Sequence, residues 1–139
     1  MMLVVDTNVI ISAALRKSIT QDILFNKVFQ FYAPEFVREE IEEHKEELLE
    51  SGTYTNDEFN AVLSLIFSKI SIVPEEEYAP HKEEVLRFSP DKDDWPFLAL
   101  AKHLNAALWS YDSDLRLKQN IIKVHTTSEL VKFLRHEEK

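Results

Sequence analysis

The stretch MMLVVDTNVIISAAL (residues 1–15) runs a short apolar strand directly into Asp6 and then into an apolar helix. The segment AALWSYDSDL (residues 106–115) repeats this arrangement, with Asp112 and Asp114 following a second apolar strand. Open parallel sheets place their binding sites at the carboxyl ends of strands, beside helix N-termini. Both stretches therefore predict a sheet with acidic side chains at one edge.

Apolar runs typical of strands recur along the chain, separated by segments with helical periodicity. The runs are LVV (3–5), FYA (31–33), ISIV (70–73), ALW (107–109) and IKVH (122–125). This alternation predicts an α/β fold with a mostly parallel sheet. Because the chain has 139 residues, is 45% hydrophobic and contains no linker or repeat, we expect a single domain over residues 1–139.

Helix boundaries are marked by hydroxyl residues that stand three positions before an acid or amide. These pairs are Ser18 with Gln21, Thr55 with Glu58, and Thr126 with Glu129. Ser51 and Gly52 predict the end of a Glu-rich helix before a second helix, TNDEFNAVLSLIFSKI (55–70), begins. We expect these two helices to form a hairpin inserted between strands.

Composition excludes several classes of protein. The chain has no cysteine, which excludes disulfides, thiolate zinc sites and a cysteine nucleophile, and fits a reducing compartment. No basic leader and no membrane-length apolar run is visible, so we expect a cytoplasmic protein. The net charge of -9 argues against a simple basic nucleic-acid binder. Much of that charge lies in the Glu-rich helix, however, so net charge does not decide the partner.

Glu40 is predicted to point inward from the Glu-rich helix. At 100° per residue it falls on the face that holds Val37 and Ile41, whereas Glu39 lies nearly opposite. An inward glutamate is costly to ionise, so we expect a bound cation or a raised pKa. His44 lies one turn further along the same face, where a packed, hydrogen-bonded histidine is expected rather than a ligand.

The segment SPDKDDWPFLALA (89–101) supplies a further acid. Pro96 is tolerated only in a first helical turn, so the helix must begin near Asp93 or Asp94. Either acid would suit the N-terminus, and the helical wheel does not choose between them.

A calcium loop is the obvious alternative for the spacing of Asp112 and Asp114. An EF-hand that began at Asp112 would need glycine and glutamate where this chain has Leu117 and Lys123, so it is excluded. Taken alone, the motif is equally compatible with a turn that carries solvated acids.

Acids from four segments would repel one another if the fold brought them together. Asp6, Glu40, Asp94 and Asp112 would then need a divalent cation among them. Carboxylates without thiolates or clustered histidines select Mg²⁺ or Mn²⁺. Such a site suits phosphodiester hydrolysis, in which metal ions activate water and stabilise charge on the phosphate.

The order of these motifs resembles that of the PIN-domain nucleases over nearly the whole chain. The matching stretches are the strand ending in Asp6-Thr7-Asn8, then PEFVREE (34–40), DKDDWPFLALA (91–101) and LWSYDSDL (108–115). The resemblance implies a PIN-like α/β/α sandwich around a mostly parallel sheet. It also implies a Mg²⁺- or Mn²⁺-dependent endoribonuclease.

The resemblance also implies roles for individual residues. The positions that match the family's catalytic, metal-binding acids are Asp6, Glu40, Asp94 and Asp112, with Asp114 as an accessory carboxylate. The positions that match its polar residues beside the site are Thr7, Asn8 and Ser110. The family pattern favours Asp94 over Asp93 because the matching acid stands two residues before the proline. Two positions depart from the family: Tyr111 replaces a frequent glycine, and Ser110 replaces threonine.

Small stand-alone members of this family are commonly toxin ribonucleases held by an antitoxin, which is the subgroup that this length implies. The alternatives are an RNA-processing PIN nuclease and an inactive PIN-like binding module. Outside the family, a phosphoacceptor receiver would need aspartate after a middle strand, where ISIVPEEE supplies glutamate. An aspartate-nucleophile phosphatase would need Asp-x-Asp at the start, where the chain has Asp6-Thr7-Asn8.

Two surface predictions complete the sequence interpretation. RNA contacts are expected from cations near the acidic motifs: Arg16, Lys17, Arg116, Lys118 and Lys123. The inserted helices hold more apolar side chains than one buried stripe needs: Tyr54, Phe59, Val62, Leu63, Leu65, Ile66 and Phe67. This excess predicts a homodimer, and an antitoxin is the alternative partner for the same surface.

Overall fold

The computed structural model describes residues 1–15, 18–50 and 54–137, and contains one parallel sheet. Its strands are β1 (Met2–Val5), β2 (Gln30–Pro34), β3 (Ile70–Val73), β4 (Ala107–Trp109) and β5 (Val124–His125). They run in the order β3-β2-β1-β4-β5, and every neighbouring pair is parallel. The predicted α/β class, with helices flanking a parallel sheet as in PIN-like folds, is therefore confirmed.

The predicted strands are all present, although the last is shorter than expected. IKVH was predicted as four strand residues, but β5 has two. The Gln119 side chain accounts for the difference, because its Oε1 accepts from the Ile122 N–H at 2.9 Å and its Nε2 donates to the Ile122 carbonyl at 2.8 Å. Ile122 is thereby held by a side chain instead of a neighbouring strand.

Nine α-helices lie within the described residues. They are α1 (Thr7–Ala14), α2 (Ser18–Leu24), α3 (Phe36–Glu50), α4 (Asn56–Phe67), α5 (Glu75–Tyr78), α6 (Lys82–Leu86), α7 (Trp95–Leu104), α8 (Ser113–Leu117) and α9 (Thr127–Glu137). On one face of the sheet, α7 packs against β1, β2 and β4 and is flanked by α5 and α6. The group formed by α1 to α4 covers the opposite face. Right-handed crossovers require this, because the chain moves from β1 to β3 in one direction across the sheet and from β3 to β5 in the other.

Two of the three predicted helix caps are confirmed. Thr55 Oγ1 accepts from the Glu58 N–H, and Thr126 Oγ1 accepts from the Glu129 N–H, each at 3.2 Å. The third prediction is wrong, because Ser18 is itself the first residue of α2. Its expected partner Gln21 instead donates to the Ala13 carbonyl at 2.8 Å and so ties α2 to α1.

The predicted pair of helices between strands is present as α3 and α4, between β2 and β3. The predicted helix end at Ser51 and Gly52 lies outside the described residues.

The excess of apolar surface on these helices is smaller than the sequence indicated. Of the seven apolar side chains, Leu65 alone is exposed, at 57%. The others belong to the core or pack against it: Tyr54, Phe59, Val62, Leu63, Ile66 and Phe67. Because α4 packs against α1 and β3, most of this surface is buried within the chain.

The connections leave the middle of the sheet in opposite directions. From β1 the chain passes to β2 and β3 on one side, and it returns to β4 and β5 on the other. The sheet therefore reverses its winding between β1 and β4, which is where open α/β sheets bind ligands at their carboxyl edge. The Asp6 N–H donates to the Trp109 carbonyl at 3.0 Å and joins the two strand ends. None of the described helices is long and apolar enough to cross a membrane.

Tyr78, at the end of α5, has a hydroxyl without a hydrogen-bond partner among the described residues. The side chain is fully buried beside Trp95, with ring centroids 5.7 Å apart. Burial, together with the charges of Glu75 and Glu35, raises the pKa of this hydroxyl above its usual range. The oxygen thus loses its hydration without a compensating bond.

Tyr78→Phe is expected to leave the free energy of unfolding unchanged or to raise it by up to about 1 kcal/mol, because it removes an unsatisfied polar atom. Urea denaturation of the purified variant measures this. Tyr111→Phe is the matched control: its hydroxyl lies 2.7 Å from Thr20 Oγ1, so the same change should cost about 1 kcal/mol. A destabilised Tyr78→Phe would contradict the assignment of an unpaired hydroxyl.

Candidate active site

Asp6 lies at the junction of β1 and α1, at the switch point of the sheet. It caps α1, with Oδ1 accepting from the Thr7 N–H at 2.8 Å, while Oδ2 accepts from the Ser110 hydroxyl at 2.5 Å. Only 7% of the residue is exposed. Burial raises the pKa of Asp6 to about 6, and the charges of Glu40 and Asp112 add to this rise. Asp6 is therefore both a helix cap and a member of an acidic cluster.

Glu40 on α3 points toward Asp6, as its helical position predicts. The Thr7 hydroxyl donates to Glu40 Oε1 at 2.6 Å, and Glu39 is exposed. Burial raises the pKa of Glu40, with a further rise from the charge of Glu43. Thr7 thus bridges the two acids, with its backbone on Asp6 and its hydroxyl on Glu40.

His44 is not packed as the sequence indicated. Half of its side chain is exposed, and Nδ1 lies 3.7 Å from Glu47 Oε2. The fully buried residues of α3 are Val37 and Ile41, and Leu48 and Leu49 further along also pack against the core, whereas His44 between them is exposed.

Asp94 comes from the opposite layer, at the N-terminus of α7. A short 3-10 turn over Lys92–Asp94 precedes the helix, and Pro96 lies in the first turn, as predicted. Burial raises the pKa of Asp94 to about 7, and the negative charges of Asp6, Asp91, Asp112 and Glu40 reinforce the shift. Asp94 is half-buried whereas Asp93 is exposed, so the geometry favours Asp94.

Asp112 follows β4 and caps α8. Its N–H donates to Ser110 Oγ at 3.0 Å, and its Oδ1 accepts from the Asp114 N–H at 2.9 Å. Asp114 is not brought into the cluster: its side chain is exposed and lies 3.4 Å from Lys118 Nζ. The structure thus gathers Asp6, Glu40, Asp94 and Asp112, with Asp114 outside them.

Of the three polar residues predicted beside the site, two contact the acids and one does not. Ser110 is buried and donates to Asp6, and Thr7 is buried and donates to Glu40. Asn8 is exposed, and its Oδ1 accepts from the Tyr111 N–H at 3.5 Å. Thr7 and Ser110 therefore orient the acids, whereas Asn8 positions the loop after β4.

No basic partner neutralises these acids within the part of the chain that the structure describes, where the ion pairs all involve other carboxylates. Among those same residues, no three acids or histidines stand close enough to form a ready-made metal cage. Mg²⁺ keeps several waters and is usually held by one or two carboxylates, so a full cage is not required. Burial, reinforced by neighbouring negative charges, raises the pKa values of Asp6, Glu40 and Asp94, and a set of such oxygen donors fits a hydrated Mg²⁺ or Mn²⁺.

We expect the metal-free protein to lose stability as the pH rises from about 4 to about 7. The pKa values of Asp6 and Asp94 are raised from 3.8 to about 6 and about 7. Between those values the folded state holds more protons than the unfolded chain, so its free energy of unfolding falls with pH. For Asp6 the shift corresponds to roughly 3 kcal/mol at most.

Urea titrations of the wild type and Asp6→Asn across this pH window, in chelator, measure the effect. The two proteins should be closest in stability near the acid end, and the variant should be the more stable one at neutral pH. A difference that stays constant across the window would contradict the raised pKa.

Sequence reasoning missed two parts of this region. Asp91 caps the turn before α7, since its Oδ1 accepts from the Asp93 N–H at 2.9 Å, and its charge raises the pKa of Asp94. In the sequence Tyr111 stands out only as a replacement for a frequent glycine, but in the structure its hydroxyl lies 2.7 Å from Thr20 Oγ1. The acid in SPDKDD was a usable signal for the first, but nothing in the sequence pairs residues 20 and 111.

The cations proposed for RNA contacts differ in their surroundings. Arg16 and Lys17 lie outside the described residues. Lys118 is paired with Asp114, which reduces its availability to phosphate. Arg116 and Lys123 are exposed.

Comparison with known proteins supports the fold on which these acids lie. The model of the PIN domain family matches the sequence over residues 4–132. One similar solved structure is a toxin-antitoxin complex from Klebsiella pneumoniae, with a TM-score of 0.65 and 16% identity, covering 90% of this chain and 97% of that one. Another is VapBC2 from Rickettsia felis bound to a DNA fragment from its promoter, with a TM-score of 0.64 and 14% identity, covering 91% and 98%. No curated protein matches the sequence significantly. At these identities the solved structures show a shared fold.

Proposed function

The chain belongs to the PIN-domain family, a family of nucleases, and from this membership we propose that it is a Mg²⁺- or Mn²⁺-dependent endoribonuclease. We further propose that it is the toxin of a toxin-antitoxin pair. One observation supports the catalytic proposal above the others: acids from four separate segments lie near one another at the switch point of the sheet, where burial and their charges raise the pKa values of Asp6 and Asp94. None of the four forms an ion pair among the described residues. The ligands proposed for the metal are Asp6, Glu40, Asp94 and Asp112.

The side chains around these acids would prepare the site for a metal. The Ser110 hydroxyl fixes one oxygen of Asp6, and the Thr7 hydroxyl fixes one oxygen of Glu40. Each acid retains lone pairs that these bonds do not use. When bound, a divalent ion supplies Lewis acidity toward the phosphate and lowers the pKa of a coordinated water. The protein's own contribution is to hold the carboxylates in fixed positions beside the substrate.

The proposal of a toxin rests on fold likeness. One of the two similar solved structures is described as a toxin-antitoxin complex and the other as VapBC2 bound to a fragment of its promoter. Their chains have nearly the same length as this one, judging by the shares that are covered. A protein antitoxin is the partner that this likeness favours. An RNA-processing nuclease and an inactive binding module would share this fold. RNA cleavage distinguishes the inactive module from a nuclease.

The proposed activity is tested on a mixed pool of single-stranded RNA with Mg²⁺ or Mn²⁺. The wild type should produce internal cleavage that stops in chelator and returns when the metal is restored. Intact RNA under every metal condition, with the protein shown to be folded, would favour the inactive binding module.

A homodimer also stays a prediction for this chain. Leu65 on α4 is 57% exposed, which leaves part of the predicted surface free in the single chain. Sedimentation at micromolar concentration should give twice the 16.3 kDa chain mass. Because most of the apolar side chains of α4 are core residues, Leu65→Lys should dissociate the dimer while the fold is retained. A monomer in the wild type would reject this prediction.

A further inference from the structure

Tyr111 presents an immobilised aromatic ring beside the acidic cluster. It stands between Ser110 and Asp112 in the chain, and 45% of the residue is exposed. Its hydroxyl lies 2.7 Å from Thr20 Oγ1, and Thr20 is buried, with Oγ1 3.4 Å from Ser12 Oγ. The ring is thus tied at its far end to α1 and α2 while it remains open to solvent at the carboxyl edge of the sheet.

Thr127 joins this ring to a groove along α9. Its Oγ1 accepts from Trp109 Nε1 at 3.1 Å, and its side chain lies near the Tyr111 hydroxyl. The groove has a volume of about 390 Å³ and is lined by Ile19, Thr127, Ser128, Val131, Lys132 and Arg135. The groove therefore begins at Thr127, near the Tyr111 hydroxyl.

The groove concentrates positive charge in a chain whose net charge is -9. Lys132 and Arg135 are exposed and share one face of α9 with Ser128. Neither cation forms an ion pair with another described residue. Because the chain has a net charge of -9, the two cations in the groove that begins near the Tyr111 hydroxyl mark the direction in which an anionic strand can leave the acidic cluster.

We propose that single-stranded RNA runs from the acidic cluster across Tyr111 into the α9 groove. One base stacks on the Tyr111 ring, and the following phosphates contact Lys132 and Arg135. This inference rests on the proposed ribonuclease function and identifies its substrate path. Single-strand binding proteins combine aromatic platforms with basic grooves in this way. Because the Tyr111 hydroxyl is already fixed, little side-chain freedom is lost when the base binds.

The test measures the affinity of a dye-labelled single-stranded RNA by fluorescence anisotropy, in chelator so that the RNA stays intact. Tyr111→Leu should weaken binding by about tenfold, which is within the range for loss of one stacked base. Tyr111→Phe keeps the ring and should retain most of the affinity. Arg135→Gln should weaken binding and reduce the salt dependence of log K by about 0.7, the value for one phosphate on a single strand.

Arg87→Gln is the matched control for charge. Arg87 is exposed and follows α6, which packs on α7 on the other face of the sheet. The substitution removes the same charge as Arg135→Gln, and RNA affinity should remain that of the wild type. Equal losses in the two variants would show a general charge effect and overturn the path.

RNA that lacks a base at one position distinguishes stacking from a structural role of Tyr111. When abasic positions are scanned, the penalty of Tyr111→Leu should vanish at one position and persist at the others. An equal penalty at every position would overturn the stacking contact. Wild-type affinity in both folded variants, Tyr111→Leu and Arg135→Gln, would overturn the path while leaving the proposed function in place. A wild type that neither binds nor cleaves RNA would instead overturn the proposed function, and the path with it.

Discussion

Asp6→Asn is expected to reduce RNA cleavage by at least about 100-fold, the upper end of the loss found when a group supporting a metal ligand is removed. The reason is the position of Asp6, which is the most buried of the four acids and contacts both Thr7 and Ser110. Asparagine has one oxygen that can still cap α1, so the fold should be retained. The substitution does, however, remove the negative charge that a bound cation requires.

The same substitution should stabilise the metal-free protein at neutral pH by roughly 2 kcal/mol, because a buried carboxylate with a pKa of about 6 is replaced by a neutral side chain. Loss of activity and gain of stability would then occur together, which a damaged fold does not produce. Cleavage rates and thermal melts on one protein preparation measure both. Asp22→Asn, an exposed acid on α2, provides the same charge change as a control and should affect neither. An active Asp6→Asn would remove Asp6 from the site.

Glu40→Gln should remove most of the ribonuclease activity, by at least about tenfold, whereas Glu39→Gln should leave it nearly unchanged. The two residues are neighbours on α3 and the substitutions alter net charge equally. Glu40 accepts from the Thr7 hydroxyl at 2.6 Å beside Asp6, while Glu39 is exposed. Glutamine can keep the bond from Thr7, so a difference in rate would report the lost charge.

The assay uses single-stranded RNA with Mn²⁺ at matched protein concentration, and circular dichroism confirms that both variants are folded. Equal activity in the two variants would show that Glu40 does not belong to the site. A loss in both that is reversed by lowering the salt concentration would indicate long-range electrostatics instead.

The parts of the fold that follow from local patterns could be predicted from the sequence. β1 and β4 are continuous apolar runs, and Pro96 limits where α7 can begin, so both features are local. The inward position of Glu40 follows from helical periodicity alone. These predictions succeeded because each depends only on residues that are close together in the sequence.

The remaining features depend on contacts between distant segments. β5 is shortened by Gln119, and Gln21 bonds to α1 instead of capping α2. Each of these side-chain hydrogen bonds can form only when another element of the fold is in place. The wrong prediction for His44 has the same origin, since which side chains of α3 are covered is set by the neighbouring elements and not by the periodicity of α3 alone.

The candidate site shows the same division. The sequence identified three of the acids from their positions after strands or before a helix, and Glu40 from the inward face of its helix. It could not separate Asp93 from Asp94 without the resemblance. Burial and the field of the neighbouring acids make that distinction, and both arise from the folded sheet. The anchoring of Tyr111 by Thr20 joins residues 91 positions apart, so no local pattern could reveal it.

The central claim is that Asp6, Glu40, Asp94 and Asp112 hold a catalytic divalent ion. A crystal structure with Mn²⁺, using the anomalous signal of the metal, tests this most directly, because it locates the ion independently of the protein density. We predict a Mn²⁺ peak among these four carboxylates, with oxygen ligands at distances close to the roughly 2.0–2.1 Å typical of Mg²⁺. A crystal with saturating Mn²⁺ that shows no peak there, or peaks only along the Glu-rich surface of α3, would contradict the account.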